Sequence, residues 1–416
     1  MAGVTADGRK PRNIKAHNLR YVLSLLREHG NYTVSEISRE SNLSVTTVIK
    51  IIDKLKQSGI VVSLGKGIST REGGKKPEVF AFNKQYKYAI TIYMGQQAAK
   101  YILTDLSGYA VRVESIPYSN TESFESCVQE TELAVRAMVK AYGIAMEDLC
   151  GMCIGLDGII DSENYSVIYP IHNKTWPTGD AIWRTFTKCF PDVADICIEN
   201  SGRLVGQYIF LEYPDLKDKS VAVFTIAGSG AGVAGVLFNR GKAIRGAHGL
   251  VGEIGHITIP DIRHSIPCEC GKTNCFEKLV NIHMLVEYAK ESLYAKEESE
   301  LYDKIQKNEL KPMDIIHMAD DGSYLCQKVL DIIIDYCFVV IENIMLTCDP
   351  QYYVVGGVYA ENSQYFREQL NSRLKNSRFF NIETKINLRY IDFQNYNYSG
   401  STLQMIDDYL GRMEFD

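Results

Sequence analysis

No stretch of eighteen or more apolar residues occurs anywhere in the 416 residues, so nothing reads as a membrane-spanning helix. The opening MAGVTADGRKPRN lacks an apolar core, which argues against a secretory signal. A disulfide framework is lacking too: the cysteines number eleven, an odd count scattered along a long chain. They are expected to be reduced and mostly buried, in a cytoplasmic protein. A strong overall charge is also missing, since the formal net charge is −6. That small value hides an asymmetry. Residues 1–84 hold 15 Lys+Arg against 7 Asp+Glu, and the remainder holds 30 against 44. A basic head on an acidic body suggests that the head alone meets a polyanion. The length exceeds one ordinary core and implies two or three domains, and the composition, 45% hydrophobic and 23% charged, is that of a globular protein.

The head carries helical spacing from the start. Leu19, Val22, Leu23, Leu25 and Leu26 mark an amphipathic helix that ends near Gly30. Thr33-Val34-Ser35-Glu36 is a capping-box pattern for a short second helix anchored by Ile37. After the turn Ser41–Ser44, Ser44 can cap a third helix, Val45 to Gln57, with Val48, Ile51, Ile52 and Leu55 as its inward stripe. Short helix, tight turn and capped helix form the helix-turn-helix arrangement, whose second helix enters the major groove by its N-terminal residues. Ser44, Val45, Thr46 and Thr47, followed by Lys50 and Lys54, are the candidate groove contacts. Two strand-like runs, Ile60–Leu64 and Val79–Phe82, flank a glycine-rich tip bearing Lys66, Arg71, Lys75 and Lys76. Such a tip reads as a basic wing that reaches phosphates or the minor groove. A three-helix protein-interaction module with a solvated basic loop is the alternative.

Residues 85–416 alternate strand-like runs with helical stretches, which argues α/β architecture. Their sharpest local signal is GHITIPDIRHSIPCECGKTNCFE. Cys268, Cys270 and Cys275 lie within eight residues, with His256 and His264 upstream. Three thiolates and one imidazole suit tetrahedral Zn²⁺. A redox-active or incidental loop is the alternative, and spacing alone does not choose between the two histidines.

The head, down to its closing GGKKPEVFAFN, resembles the winged helix of the ROK family (repressors, open reading frames and kinases). The body resembles the same family: the segment Gly249–His256 followed by Cys268-Glu-Cys270-Gly271-Lys-Thr-Asn274-Cys275-Phe-Glu277 is similar to the ROK signature. The family's last loop glycine is Asn274 here, and asparagine tolerates the left-handed conformation that the loop requires. The resemblance implies a two-lobed actin-like (ribonuclease H-like) sugar-kinase fold behind the head. It also implies a zinc ion held by His256, Cys268, Cys270 and Cys275. Four protein ligands leave no open position, so that zinc would be structural. A sugar site implied at Asn200, Ser201, Glu253, His256 and Glu277 suits polyhydroxylated ligands, because carboxylates accept several hydroxyl hydrogen bonds.

The kinase chemistry departs from the family pattern. Where ROK kinases have Glu-Asn-Asp, with the aspartate as base, this chain has Glu199-Asn200-Ser201. A serine hydroxyl is no general base near neutral pH. Tyr93-Met94-Gly95-Gln96-Gln97 replaces Asp-x-Gly-Gly-Thr, and Asp157 stands where a proline is usual, adding negative charge near a triphosphate's place. Gly228–Gly232 and Gly356-Gly357 remain nucleotide-compatible, a weak signal.

Together these features predict a winged helix over 1–84, a first lobe over 85–200 rejoined by a C-terminal helix within 396–416, and a second lobe over 201–395. The function they imply is a sugar-responsive repressor that binds double-stranded operator DNA as a homodimer or homotetramer. Its effector would be a monosaccharide or sugar phosphate, held without catalysis. An active hexose kinase with a regulatory head, or a regulator governed by a protein partner, are the competing readings.

Overall fold

The computed structural model describes residues 11–413 apart from 68–75, 96–97, 118–122, 172–174, 229–231, 262–263, 292–298, 380–381, 384–385, 393–395 and 397. In the head, the first helix runs over Pro11–His29 and buries Leu19, Val22, Leu23, Leu25 and Leu26. The second helix, Val34–Ser41, is capped as its sequence predicts. The Thr33 N–H donates to Glu36 Oε2 at 2.8 Å, and the Glu36 N–H donates to Thr33 Oγ1 at 3.3 Å. Those bonds from the Thr33 backbone and side chain hold the Glu36 carboxyl below its ordinary pKa. Asn42 turns the chain at φ 53°, and Ser44 caps the third helix, Val45–Gln57, by accepting from the Thr47 N–H at 3.2 Å. That helix buries Val48, Ile51, Ile52 and Leu55.

The wing sheet corrects the expectation of two strands. Three strands pair in the order Tyr32–Thr33, Glu78–Phe82, Val61–Lys66, all antiparallel. The extra strand is two residues long, too short to show the alternation by which strands are read from sequence.

Behind the head lie two five-stranded sheets. In the first, Ile196–Asn200, Leu149–Leu156, Tyr88–Met94, Ala98–Asp105 and Ala110–Pro117 lie in that spatial order. In the second the order is Lys242–Ala243, Val233–Asn239, Ser220–Ile226, Tyr352–Gly357 and Leu388–Ile391. Numbered along the chain within each sheet, both follow 3-2-1-4-5: strands 1 to 3 are antiparallel neighbours, and 1, 4 and 5 are parallel. Parallel neighbours need crossovers. Helices Phe124–Tyr142 and Ala181–Cys189 serve the first sheet, and the 25-residue Tyr324–Cys348 and Gln364–Asn376 serve the second.

The C-terminal helix, Leu403–Arg412, joins these parts. Met405, Ile406 and Leu410 belong to the same buried cluster as the leucines of the first helix and as Cys150 and Cys153 of the first sheet. The head is therefore packed onto the body and shares a core with it.

Candidate functional site

On the head, Ser44, Val45, Thr46 and Lys50 are exposed, with Val45 49% accessible. Thr47 is half-buried, and its hydroxyl lies 2.8 Å from Ser44 Oγ, so it takes part in the cap. Lys54 is half-buried as well. The sequence reading missed Ile49, which is 44% accessible one turn beyond Val45. Two apolar side chains left in water on this face suit contact with thymine methyl groups in the major groove. Helical spacing alone signals Ile49, since it falls outside the inward stripe. Lys66 and Lys76 are exposed on either side of the wing tip, while Arg71 and Lys75 lie outside the described residues.

Between the two sheets the predicted ligand residues converge. Asn200 ends a strand of the first sheet and caps the short helix Ser201–Gly206. Its Oδ1 accepts from the Arg203 N–H at 3.2 Å, and its Nδ2 donates to the Gly158 carbonyl at 2.8 Å. The same Nδ2 lies 3.5 Å from Glu253 Oε1. Burial, partly offset by Arg203 and reinforced by Glu277, holds the Glu253 carboxyl above its ordinary pKa. Glu277 Oε1 is 3.5 Å from His256 Nδ1. A Cβ on Gly232, whose φ is +109°, would stand 2.7 Å from Glu277 Oε2, so glycine there lets the backbone approach the carboxylate.

The positions at which the chain departs from the kinase pattern also meet. The Ser201 hydroxyl donates to Asp157 Oδ1, and the Tyr93 hydroxyl donates to the same oxygen at 3.0 Å. Burial, then the charge of Asp157, pushes the Tyr93 pKa up, which keeps the phenol a donor. Gln96, Gln97 and residues 229–231 lie outside the described residues.

Sequence reasoning missed the ion network that holds this cleft. Glu199, buried, receives Arg203 at 2.9 Å and Arg245 at 2.7 Å, along with the Ser162 hydroxyl at 2.7 Å. Burial alone would raise the Glu199 pKa, but Arg245 and Arg203 prevail and lower it. Arg203 also donates to the carbonyls of Gly249 and Val251, which fixes the segment leading to Glu253. Behind this network lies a cavity of about 590 Å³ whose lining includes Cys197, Glu199, Lys217, Arg245 and Asp407, but not Asn200, Glu253, His256 or Glu277.

The cysteine loop brings His256, Cys268, Cys270 and Cys275 together, with their ligand atoms all within 4.8 Å of one another. Cys268 Sγ is 3.6 Å from His256 Nδ1, and Cys270 Sγ is 3.5 Å from Cys275 Sγ. A tetrahedral ion with metal–sulfur bonds of about 2.3 Å and metal–nitrogen bonds of about 2.0 Å has edges of roughly 3.5–3.8 Å, so these four atoms could hold a metal ion. His264 is engaged elsewhere, with Nδ1 2.7 Å from Asp261 and Nε2 3.0 Å from Glu291. Asn274 adopts φ 54°, the left-handed conformation expected of it. Its side chain also accepts from the Ile266 N–H and donates to the carbonyls of Asp261 and His264, bracing the loop as a glycine would not.

The sequence pattern of the ROK family matches residues 89–389, and a winged helix-turn-helix DNA-binding pattern matches residues 17–62. The chain belongs to the ROK family. It is 24% identical over 382 residues to the xylose repressor of Caldicellulosiruptor bescii, covering 90% of this chain and 92% of that one. Among solved structures, a ROK family transcriptional regulator, a homologue of the Escherichia coli Mlc protein, superposes with a TM-score of 0.70 at 18% identity, over 96% of this chain and 97% of that one. The ROK glucokinase of Streptomyces griseus, solved with glucose and AMPPNP, superposes with a TM-score of 0.58 at 15% identity, over 76% of this chain and 98% of that one. The kinase thus shares the two-lobed body, and the regulator shares the head as well.

Proposed function

We propose that the chain is a sugar-responsive transcriptional repressor of carbohydrate genes, with operator DNA at the head and a sugar effector at Asn200, Ser201, Glu253, His256 and Glu277. The observation that carries this reading is the joint between head and body. Arg27 of the first helix reaches Asp407 of the C-terminal helix at 2.5 Å, and Lys217, from the second lobe, reaches Asp407 at 3.1 Å and Glu28 at 3.9 Å. Three parts of the chain meet on one carboxylate. A sugar that draws the lobes together would shift Lys217 against the head. In a dimer that shift would alter the spacing of two recognition helices, which operator half-sites fix at about 34–36 Å or multiples of it.

In this reading the head contacts DNA through Ser44, Val45, Thr46, Thr47, Lys50 and Lys54, with the wing cations Lys66, Arg71, Lys75 and Lys76 on phosphates. His256, Cys268, Cys270 and Cys275 hold one structural zinc ion, whose bound form supplies a fixed loop under Glu277 and no open coordination position. The body binds sugar without transferring phosphate, since Ser201 is no base and Tyr93 occupies the first phosphate turn. One observation favours the kinase reading instead: Asp157 places a carboxylate against Ser201. An ATP-coupled assay with hexoses and pentoses decides between the two, and turnover at ordinary enzyme rates would overturn the repressor reading.

The main test is operator affinity measured with and without a sugar that calorimetry shows to bind. A coupling of about 1–3 kcal/mol, or roughly 5–150-fold in operator affinity, is expected. A tight-binding sugar that leaves operator affinity unchanged would sink the coupling.

A further inference from the structure

The cavity of about 590 Å³ behind the Glu199 network is bounded by both lobes and by the C-terminal helix, Leu403–Arg412. Glu199 and Asn200 are successive residues of the strand Ile196–Asn200, so their side chains leave it on opposite faces. Glu199 lines the cavity, and Asn200 stands in the Glu253 cluster. Between the two spaces the lobes are tied. Arg203 donates to the Ile160 carbonyl of the first lobe and to the Gly249 and Val251 carbonyls of the second. Arg245 of the second lobe pairs with Glu199 of the first. Two spaces on opposite sides of a tie change width in opposite senses when the lobes turn about it. A cleft that closes on a sugar therefore widens the cavity.

The cavity walls carry opposite charges. On the second lobe, Arg240 and Lys242 belong to the turn that joins the strands Val233–Asn239 and Lys242–Ala243. Both are exposed, and among the described residues neither side chain has an ion pair or a hydrogen bond. Opposite them stand Glu163 of the first lobe and Asp408 of the C-terminal helix, which takes the Gln404 amide at 3.1 Å; neither carboxylate has an ion pair among the described residues. The Glu163 wall is fixed. Two residues on, the Tyr165 ring stacks on Trp183 with centroids 4.8 Å apart, and Trp183 donates to the Ile196 carbonyl of the sheet at 2.8 Å. The remaining charges are paired: Lys217 with Asp407, Arg245 with Glu199, and Arg412 with Asp195. Attraction between the four left over favours the narrow cavity, which is the open sugar cleft.

The same turn is coupled to the head. The Arg240 N–H donates to the Lys219 carbonyl at 3.0 Å, and a Cβ on Gly241, at φ +74°, would stand 3.3 Å from Lys217 Cγ. Lys217 is the residue that reaches Asp407 and Glu28. Movement of the turn is thus movement of the joint.

We propose that this cavity is the counter-space of the sugar cleft, and that Arg240 and Lys242, drawn toward Glu163 and Asp408, hold the sugar-free protein in its open-cleft, operator-binding arrangement. The proposal rests on the reading of the Asn200–Glu253 cluster as the sugar site and adds the charges that set how much sugar the switch requires. A sugar closes the cleft against this attraction, and the turn passes the movement through Lys217 to the head.

The test uses the full-length, zinc-loaded protein without DNA and calorimetric titration with D-xylose, D-glucose and N-acetyl-D-glucosamine. Titrations are run at about 0.1 M and about 1 M NaCl, between which the screening length falls from about 10 Å to about 3 Å. For a sugar that binds, the higher salt should tighten wild-type binding about threefold. The double variant Arg240→Gln, Lys242→Gln should bind it about threefold more tightly at the lower salt and lose the salt dependence. Glu163→Gln should move both readings in the same direction from the opposite wall. The sugar needed to release operator DNA should fall by the same factor, while sugar-free operator affinity barely moves, because the open arrangement stays in the majority. Wild-type-like affinity and salt dependence in a folded double variant overturn the proposal. Weaker sugar binding, or tighter binding with the salt dependence unchanged, overturns it as well. Should the double variant not fold, Glu163→Gln decides by the same readings. A Glu253→Ala variant that loses the sugar leaves the site standing whatever the charge variants show. If no sugar binds, or if binding survives Glu253→Ala, the site reading fails and this inference falls with it.

Discussion

The two lobes share one strand order and differ in what is inserted between their third and fourth strands. In the first lobe the helix Phe124–Tyr142 crosses back over the sheet, followed by a one-turn 3-10 helix, Met146–Asp148. In the second, residues 244–351 intervene, carrying the segment with Glu253 and His256, the cysteine loop, Glu277 and a set of helices. The same scaffold thus yields one lobe whose contribution to the cleft comes from strand ends, at Tyr93, Asp157 and Asn200, and one whose contribution comes from an insertion. Strand ends are positioned by the sheet's own hydrogen bonds. An inserted loop needs separate support: the buried Arg203 supplies part of it by donating to the Gly249 and Val251 carbonyls, and the proposed metal at His256, Cys268, Cys270 and Cys275 would supply the rest. The difference teaches that duplication of a fold does not duplicate the means of holding a site.

The largest expected effect separates the lobes by their support. Cys270→Ser is expected to lose the proposed zinc by removing one of its four ligands, and the effect should be large because structural zinc contributes apparent binding free energies of about 10–16 kcal/mol in small zinc domains. Hydrogen exchange should then rise in the loop around Glu277 while the first-lobe sheet keeps its protection. Equal loosening of both lobes would remove the distinction, and metal analysis finding full zinc in the variant would remove the site.

Next in size is the seam between the lobes. Glu199→Gln leaves the buried Arg203 guanidinium without its counter-charge, a change that typically costs about 3–5 kcal/mol. A denaturant midpoint close to wild type would show that the network is dispensable. The pH dependence follows in sign. The folded-state pKa of Glu199 lies below its ordinary value, so its contribution is fully present above the unfolded value of about 4.3. It is lost as pH falls through the lower folded value. Glu199→Gln should flatten the acid limb of the wild-type stability profile in that window.

A smaller effect is expected at the head joint. Asp407 and its partners are partly solvated, so Asp407→Asn should change stability by about 1 kcal/mol or less. Its consequence should appear in regulation: the shift in operator affinity on adding sugar should shrink, while sugar affinity in the absence of DNA stays put. An undiminished shift would mean that the lobes speak to the head by another route. Smallest of all is the wing. Lys76→Ala should weaken all DNA sites alike and lower the salt slope by about one, and an unchanged slope would take Lys76 off the phosphate backbone.

Sequence by itself determined what a few neighbouring residues can settle. The Thr33–Glu36 box, the Ser44 cap, the stripe Val48–Leu55 and the left-handed Asn274 are interactions across three or four residues or single-residue conformations, and the physics that dictates them is local. The cysteine loop is nearly as local, though spacing left open both its histidine and the choice between a metal site and a redox-active or incidental loop. Tertiary structure alone decided the rest. Asp157 meets Ser201, Arg245 meets Glu199, and Arg27 meets Asp407 across 44, 46 and 380 residues. A charge on a sequence carries no address for a partner so far away. Its partner is set by strand order and by which helix closes over which sheet, which are properties of the packed core and of no single segment within it.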